Sequence, residues 1–365
     1  MFDLEKFYNK HIQNIEPYVP VDSTEQLIKS TGIKSEDIIR LNANENPYGP
    51  PPGILDMIKN SDLSIYPDSF QRKLRSALKS YLGIGTSELI AGAGSDELID
   101  LLFRSFVNPG DSIIDCDPTF GMYSFGARVA GANIQSVPRT STWDVDVENV
   151  ISKVTSTTKI IFLASPNNPT GNLLREEELL AILKTRIIVV VDETYFEFSG
   201  VSLAKFTKEY QNLVILRSFS KWAGIAGLRI GYMISNAKII ENIIKIKQPY
   251  NVNVAAEIAA INILSKPAIA IEKVKRIIKD KKIFEANLEK IEGIKLFPSN
   301  GNFVLIEFLD FDGEEIYNEL ALKGIFVRKF SHPRLYQMLR FSIGTESQME
   351  YVTSIMKKLL KNRRD

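Results

Sequence analysis

Four clusters of polar residues carry the side chains that could do chemistry, and each borders a predicted strand. They are AGAGSDE at 91–97, SPNNPTG at 165–171, VVVDETY at 189–195 and RSFSKWAGIAGLRIG at 217–231. Most have an ordinary structural explanation when taken alone, because glycine before serine begins many helices and proline with asparagine makes turns. Asp192 is harder to explain in this way, since a charge that ends a fully apolar strand is costly unless a cation meets it.

Taken together, the four clusters fit one ligand, a pyridoxal cofactor. Such a cofactor needs a lysine that forms an imine with its aldehyde, a carboxylate facing its pyridine nitrogen, donors to its phenolic oxygen and a cradle for its phosphate. Lys221 is the candidate for the imine and for the proton transfer that follows, and Asp192 for the ring nitrogen. Asn168 and Tyr195 can donate to the phenolic oxygen. The groups that can hold the phosphate are the backbone of Ser95 and Asp96 and the side chains of Ser218, Ser220 and Arg229.

Composition argues against several other classes of function. Lys and Arg total 45 against 44 Asp and Glu, a net charge of +1, so neither a nucleic acid nor an anionic membrane is expected as a partner. Two histidines and one cysteine nearly exclude a zinc site of the usual ligand types, and we expect no metal. Cys116 allows no intrachain disulfide and the N-terminal segment has no apolar core of the secretory type, which predicts a cytoplasmic protein.

The elements that must position these clusters alternate along the middle of the chain. Short apolar, β-branched runs predict strands at 112–116, 159–164, 187–192, 213–217 and 229–234, with helices at 95–106, 119–130 and 175–184. This alternation predicts an α/β fold with a mostly parallel sheet between helical layers, which binds ligands at its strand ends. Beyond about residue 249 the pattern predicts a smaller α+β domain. We therefore expect an N-terminal arm that packs on the small domain (1–40), a large cofactor-binding domain (41–250) and a small C-terminal domain (251–365).

The motifs also resemble a known family. SPNNPTG, VDETY and SFSKWAGIAGLRIGY, together with LNANENPYGPP, DPTFGMY and LRFSIGT, resemble the class I/II aminotransferases of fold type I. The combination is most similar to the histidinol-phosphate aminotransferase branch. The resemblance implies a pyridoxal 5'-phosphate-dependent transaminase of amino-acid biosynthesis. It implies transfer of an amino group between glutamate and a small phosphorylated ketone or amino alcohol, in a homodimer with shared active sites.

The resemblance also assigns roles to residues outside the four clusters. It makes Phe120 the ring that stacks on the pyridine face, and Tyr66 the tyrosine that reaches the phosphate of the partner's cofactor. Arg340 and Arg328 match the arginines that bind the substrate's anionic groups. Tyr18 would close over the site from the N-terminal arm and Tyr250 would approach from the partner subunit, although simple packing explains the tyrosines equally well.

One stretch departs from the branch. Lys329 and Phe330 follow Arg328 where Asp and Gln are common, and 331–336 is not the usual loop of small residues. We expect these changes to add positive charge and bulk where the pocket meets the distal end of the substrate. Two alternatives to a transaminase remain open, a pyridoxal-phosphate-dependent decarboxylase of a phosphorylated amino acid and a regulatory protein that keeps the fold without turnover. A dehydrogenase is disfavoured, because no G-x-G-x-x-G lies between a strand and a helix.

Overall fold

The computed structural model describes residues 2–362, and within them strands form three sheets. A seven-stranded central sheet has a three-stranded and a two-stranded sheet beside it in the C-terminal part of the chain. The strands are β1 (Ile39–Leu41), β2 (Leu89–Gly92), β3 (Ser112–Asp117), β4 (Asn133–Pro138), β5 (Thr158–Ala164), β6 (Ile188–Asp192), β7 (Leu213–Ser218), β8 (Gly231–Ser235), β9 (Ile294–Phe297), β10 (Phe303–Phe308), β11 (Ile325–Val327) and β12 (Met338–Ser342).

Two helices of the C-terminal part begin at residues that favour a helix start. The Asn253 side chain accepts a hydrogen bond from the Ala256 N–H at 2.8 Å, and Pro267 occupies the first turn of the next helix, where a missing N–H costs little. The helices are α1 (Thr24–Thr31), α2 (Ile54–Lys59), α3 (Arg72–Leu82), α4 (Ser95–Phe106), α5 (Met122–Val129), α6 (Val147–Ser152), α7 (Glu176–Leu183), α8 (Phe196–Ser199), α9 (Ala237–Ile246), α10 (Val254–Ser265), α11 (Pro267–Leu288), α12 (Gly313–Leu322) and α13 (Glu346–Asn362).

The central sheet is mixed but mostly parallel. Its order is β2-β8-β7-β6-β5-β3-β4, and only β8 runs antiparallel to its neighbours. Along β5, Ile161 and Leu163 belong to the apolar core on one face, whereas Ile160 and Phe162 belong to a second core on the other. Because both faces are buried, strands such as β5 and β6 are continuous apolar runs rather than alternating patterns. The predicted α/β fold of fold type I is confirmed.

The C-terminal part of the chain builds the smaller sheets. β10 pairs antiparallel with both β9 and β12, and β1 pairs parallel with β11, Leu41 lying opposite Val327. The N-terminal part of the chain thus joins the C-terminal part through the pairing of β1 with β11. The domain boundaries near residues 40 and 250 stay predictions.

Within residues 2–362, no single helix is long and apolar enough to cross a membrane. Helices α10 and α11 meet the requirements of length and composition only as a pair, and the chain bends by 85° between them. Ile263, Val274 and Phe284 of this pair are buried in the larger core, which accounts for their apolar character.

Candidate active site

The predicted chemistry-bearing residues meet at one edge of the central sheet. Asp192 is the last residue of β6, Ser218 is the last residue of β7, and Asn168 and Lys221 follow β5 and β7 by a few residues. Because β5, β6 and β7 are parallel, their carboxyl ends lie side by side, and this is where open α/β sheets bind ligands.

Asp192 is a buried carboxylate held by neutral donors. The Tyr123 hydroxyl donates to Oδ2 at 2.9 Å and the Thr194 backbone N–H donates to Oδ1 at 2.9 Å. Burial raises the pKa of Asp192 above its ordinary value, although both hydrogen bonds oppose the rise. A protonated pyridine nitrogen would supply the positive charge that these donors lack.

Lys221 supplies a nucleophilic amine a short distance along the same edge. Its Nζ donates to the carbonyl oxygen of Ala43 at 2.8 Å. Burial, assisted by the positive charge of Arg340, lowers the pKa of Lys221 from 10.5 to about 8. An amine with that pKa is partly neutral near physiological pH, as the attack on an aldehyde requires.

Tyr195 and Asn168 each keep a donor available. The Tyr195 oxygen accepts from Asn44 Nδ2 at 2.8 Å, so its own proton can be donated elsewhere. Asn168 Oδ1 accepts from Arg340 Nη1 at 2.5 Å, which leaves its amide N–H groups to donate. Both groups therefore fit the predicted role of donor to the phenolic oxygen.

The N-terminus of α4 forms a cradle for an anion. It begins after Gly94, whose φ is +85° and which gives no side-chain cap, so the first N–H groups of the helix stay available. A Cβ on Gly94 would lie 2.6 Å from an Arg229 guanidinium nitrogen, and one on Gly231 would lie 2.6 Å from the Ser95 backbone nitrogen. Glycine at both positions therefore keeps open the space that a phosphate needs.

Polar side chains close the cradle. Arg229 Nη2 donates to the Asp96 carboxylate at 2.7 Å, and Nη1 lies 3.5 Å from Ser220 Oγ. The Ser218 hydroxyl accepts from the Ser220 backbone N–H at 3.1 Å. All five residues predicted to hold the phosphate thus lie in one cluster, and they fit the phosphate of pyridoxal phosphate.

Arg340 is a buried cation that faces neutral oxygens. It donates from Nη1 to Asn168 and from Nη2 to the Asn42 carbonyl at 2.6 Å, while Nε has no hydrogen-bond partner among residues 2–362. Burial, assisted by the charge of Arg328, lowers its pKa from 12.5 to about 10. Arg328 is joined to Arg340 by two backbone hydrogen bonds, of 3.0 and 2.9 Å. Arg340 and Arg328 are thus adjacent, and Arg340 has no carboxylate partner among the hydrogen bonds given above. The pair can therefore bind an anionic group of the substrate.

Aromatic side chains line the approach to the site. Phe120 is half-buried, with its ring 5.6 Å from that of Tyr123 and nearly perpendicular to it. Tyr18 packs edge-on against Phe125 at 6.1 Å and is close enough to influence the pKa of Tyr195. Tyr18 of the N-terminal arm thus packs on α5, and its role in closing the site stays a prediction.

Tyr66 and Tyr250 lie together on the surface. Their rings stack at 4.4 Å, and the residues are 76% and 49% exposed. Their proposed contacts are with a partner subunit, so their roles stay predictions.

Several residues that hold the site together were not singled out from sequence. Tyr123 donates to Asp192, Asn44 donates to Tyr195, and the carbonyls of Asn42 and Ala43 accept from Arg340 and Lys221. The signal lay in the motifs DPTFGMY and LNANENPYGPP, which contain these residues without indicating what they contact.

The stretch after Arg328 does not add charge to the pocket, so that expectation is wrong. Lys329 donates to Glu314 at 2.7 Å and lies over the Tyr317 ring, both on α12. Phe330 packs into an apolar cluster with Trp143. The guanidinium of Arg334 binds backbone carbonyls of the central-sheet region.

Comparison with known proteins agrees with this geometry. The family Aminotransferase class I and II matches residues 36–355. The chain is 42% identical to the histidinol-phosphate aminotransferase of Roseiflexus castenholzii, covering 95% of this chain and 96% of that protein. It is 41% identical to the chloroplastic histidinol-phosphate aminotransferase of Nicotiana plumbaginifolia, covering 97% of this chain and 86% of that protein.

A solved structure gives the same fold. The crystal structure of histidinol-phosphate aminotransferase from Sinorhizobium meliloti in complex with pyridoxal-5'-phosphate superposes with a TM-score of 0.88, at 24% identity and with 98% of each chain covered. The predicted resemblance is confirmed by the family match, which spans most of the chain. The chain therefore belongs to the aminotransferase class I and II family.

Proposed function

We propose that this chain is a histidinol-phosphate aminotransferase, which uses pyridoxal 5'-phosphate to transfer an amino group between glutamate and a phosphorylated ketone or amino alcohol. The observation that carries the proposal is a set of three side chains at one edge of the sheet, each of which lacks a reaction partner or a counter-charge within the protein. Lys221 is an amine of lowered pKa, Asp192 is a buried carboxylate with neutral partners, and Arg340 is a buried cation with neutral partners. A cofactor with a cationic ring and a substrate with an anionic group complete all three.

The residues of the chain divide the chemistry between them. Bound pyridoxal phosphate supplies an electron-withdrawing ring that makes the α-proton of an amino acid removable. Asp192 would pair with the ring nitrogen and keep it protonated, and Tyr195 and Asn168 would donate to the phenolic oxygen. Lys221 would hold the cofactor through its aldehyde and, as a free amine, would accept and return the proton at the substrate's Cα. The cradle around Ser95 and Arg229 would anchor the phosphate and so keep the ring in a fixed position relative to Lys221 and Asp192 during both half-reactions.

The anion sites favour substrates of the type named in the curated relatives. Arg340 can bind a carboxylate or a phosphate bidentately, and Arg328 adds a second positive charge beside it. Glutamate and histidinol phosphate each carry an anionic group for such a pair. The Lys329 side chain is bound to Glu314 of α12, so its charge is already paired and is not left for the distal end of the substrate.

We propose a homodimer as the working unit. Tyr66 and Tyr250 form an aromatic stack that is largely exposed on one subunit, which suits a surface that a second copy covers. Small molecules are the other proposed partners, with no role for a nucleic acid or a membrane. We further propose a cytoplasmic location, for which the single buried cysteine gives support.

The two half-reactions test the function separately. Glutamate added to the purified holoenzyme should convert the visible absorption of bound cofactor to that of its amine form, and imidazole acetol phosphate should reverse the change. Lys221→Ala is the control, and it should bind cofactor without either conversion. A spectrum that ignores glutamate, combined with release of carbon dioxide from a phosphorylated amino acid, would replace the transaminase by the decarboxylase alternative.

A further inference from the structure

Residues 330–336, here called the docking segment, lie between β11 of the two-stranded sheet and β12 of the three-stranded sheet and contact the edge of the central sheet. The principal contact joins His332 to Asp117, the last residue of β3, with 2.5 Å between Nε2 and Oδ2. His332 is one of only two histidines in the chain, and the role proposed above gives neither residue a function.

The hydrogen bonds of His332 fix its tautomer. The backbone N–H of Arg334 donates to Nδ1 at 3.1 Å, so Nδ1 carries no proton. The proton of the neutral ring is therefore on Nε2, which donates it to the Asp117 carboxylate. Through Nδ1 the same side chain caps the short helical turn Pro333–Leu335, so the two ring nitrogens have separate tasks.

A second set of contacts lies beside the hydrogen bond between His332 and Asp117. Arg334 donates from Nη1 to the Arg139 carbonyl at 2.6 Å and from Nη2 to the Thr140 carbonyl at 2.8 Å, and its guanidinium lies 4.3 Å from the centre of the Trp143 ring. Leu335 joins Trp143 in a small apolar cluster of its own, apart from the two main cores. The docking segment is thus attached to the central-sheet region by hydrogen bonds at two points and by apolar packing between them.

Both ends of this attachment lead to the active site. On the central-sheet side, the Pro118 carbonyl and the Thr119 hydroxyl each bond the Asn167 side chain, at 3.0 and 2.7 Å, and Phe120 and Asn168 are their immediate neighbours. On the other side, the docking segment runs directly into β12, which carries Arg340. The contact between His332 and Asp117 therefore links the segment that leads into the anion-binding strand to the loop behind the cofactor site.

We propose that His332 is a positioning residue, which through Asp117 holds Arg340 in register with the cofactor site before substrate arrives. The inference rests on the proposed function, because it concerns the arginine that binds the substrate. His332 need not touch substrate or cofactor. If the contact is lost, a smaller fraction of the molecules holds Arg340 in the position that binds substrate. The apparent affinity for substrate falls in proportion to that fraction. Bound substrate still selects the competent arrangement, so turnover at saturation changes little.

Two near-isosteric variants separate the tasks of the two ring nitrogens. Asparagine at position 332 can cap the Pro333–Leu335 turn but is too short to reach Asp117, whereas the longer amide of glutamine reaches the place of Nε2. We expect His332→Asn to raise KM for glutamate and for imidazole acetol phosphate about tenfold with kcat within about twofold, and His332→Gln to stay close to wild type. Equal KM values in the two variants, or a loss confined to kcat, would overturn the proposal.

Tryptophan fluorescence gives a second readout that needs no turnover. The chain has two tryptophans, Trp143 beneath Arg334 and the fully buried Trp222. In His332→Asn we expect acrylamide to quench more of the emission, and the increase should vanish in a Trp143→Phe background. Unchanged quenching in His332→Asn would count against the attachment itself. If the wild-type enzyme instead fails to transaminate these substrates, the proposed function fails while the quenching result still decides whether His332 holds the docking segment in place.

Discussion

Asp192 and Glu193 are adjacent carboxylates at the end of β6, and the protein treats them in opposite ways. Glu193 accepts from Arg217 Nε and Nη2 at 2.9 and 2.8 Å, from the Ser202 hydroxyl and from the Leu203 backbone N–H. Asp192 receives one hydroxyl and one backbone N–H. Both side chains are buried, so the difference lies in the charge of the partners.

The same contrast separates two buried arginines. Arg217 pairs with Glu193 and stacks on the Phe196 ring at 3.7 Å, and the surrounding acidic groups raise its pKa despite burial. Arg340 meets an amide oxygen and a carbonyl, and burial lowers its pKa to about 10. The Glu193–Arg217 region, here called the paired region, neutralises its own charges. The Asp192–Arg340 region, here called the open region, leaves that task to ligands. The absence of a counter-charge within the protein thus distinguishes the buried charges of the site from the equally buried pair of Glu193 and Arg217.

Replacing the reactive lysine should give the largest effect. We expect Lys221→Ala to lower kcat/KM by at least about a thousandfold, the scale on which single catalytic groups act. Lys281 offers a matched control, since it is also buried and also bound to carbonyls, those of Ser299 and Gly301. Lys281→Met should lower stability by about 1–3 kcal/mol and leave activity of the folded enzyme intact. Steady-state assays and urea unfolding decide both expectations.

Replacing Asp192 or Glu193 by its amide should have opposite effects on activity and stability. Asp192→Asn should lower kcat at least about a hundredfold, because the charge that stabilises the protonated ring is lost. It should leave the unfolding free energy of the apoprotein unchanged or higher. Glu193→Gln should lower that free energy by about 3–5 kcal/mol, because Arg217 is left buried without a counter-charge. Two variants that lose stability to the same extent would remove the distinction between the open and the paired region.

The arginines should divide in the same way. Arg340→Lys should raise KM for both substrates about a hundredfold, since a lysine cannot reproduce the planar fork. Arg217→Lys should instead lower the urea midpoint and leave KM of the folded fraction near wild type. A rise in KM in Arg217→Lys comparable to that in Arg340→Lys would show that the paired region also serves the substrate.

Much of the open region could be predicted from sequence because its residues stand in short motifs at strand ends. The helix predicted at 95–106 is found as α4, Ser95–Phe106. A glycine turn marks its beginning, and the amphipathic pattern that follows shows how far it extends. β2 and β4 were not among the predicted strands. Both are edge strands. The apolar sequence LIAG of β2 is only four residues long and ends in glycine, and β4 has the polar sequence NIQSVP, so neither gives the longer apolar run of the other central strands.

The remaining gaps have one physical cause, because sequence gives the type of a side chain but not its direction. The Lys329 side chain was expected in the substrate pocket and instead contacts Glu314 of α12. The hydrogen bond from Asn44 to Tyr195 joins positions 151 residues apart, so only the folded chain reveals it. The contact between His332 and Asp117, 215 residues apart, belongs to the same class.

The lowered pKa of Lys221 makes the open region sensitive to pH. Below about pH 8 the amine is mostly protonated and cannot attack, and above it the amine is mostly neutral. The rate at which apoprotein captures pyridoxal phosphate should therefore rise about tenfold per pH unit below 8 and level off above it. Stopped-flow absorption of the cofactor measures this rate. A rate that keeps rising to pH 10 would mean that the amine has the pKa of an exposed lysine.

The smallest expected effect concerns Tyr123, whose hydroxyl is one of the two donors to Asp192. Tyr123→Phe keeps the ring stacked on Phe162 at 4.8 Å and removes about 1 kcal/mol of hydrogen bonding, so kcat should fall about fivefold. Without this donor the pKa of Asp192 should rise further, so the loss should grow as pH falls, and the pH profile of kcat measures that growth. Tyr232→Phe is the control, because its hydroxyl faces Arg217 in the paired region at 3.5 Å. Equal losses in the two variants would mean that the tyrosines act through packing alone and that the donor to Asp192 has no part in catalysis.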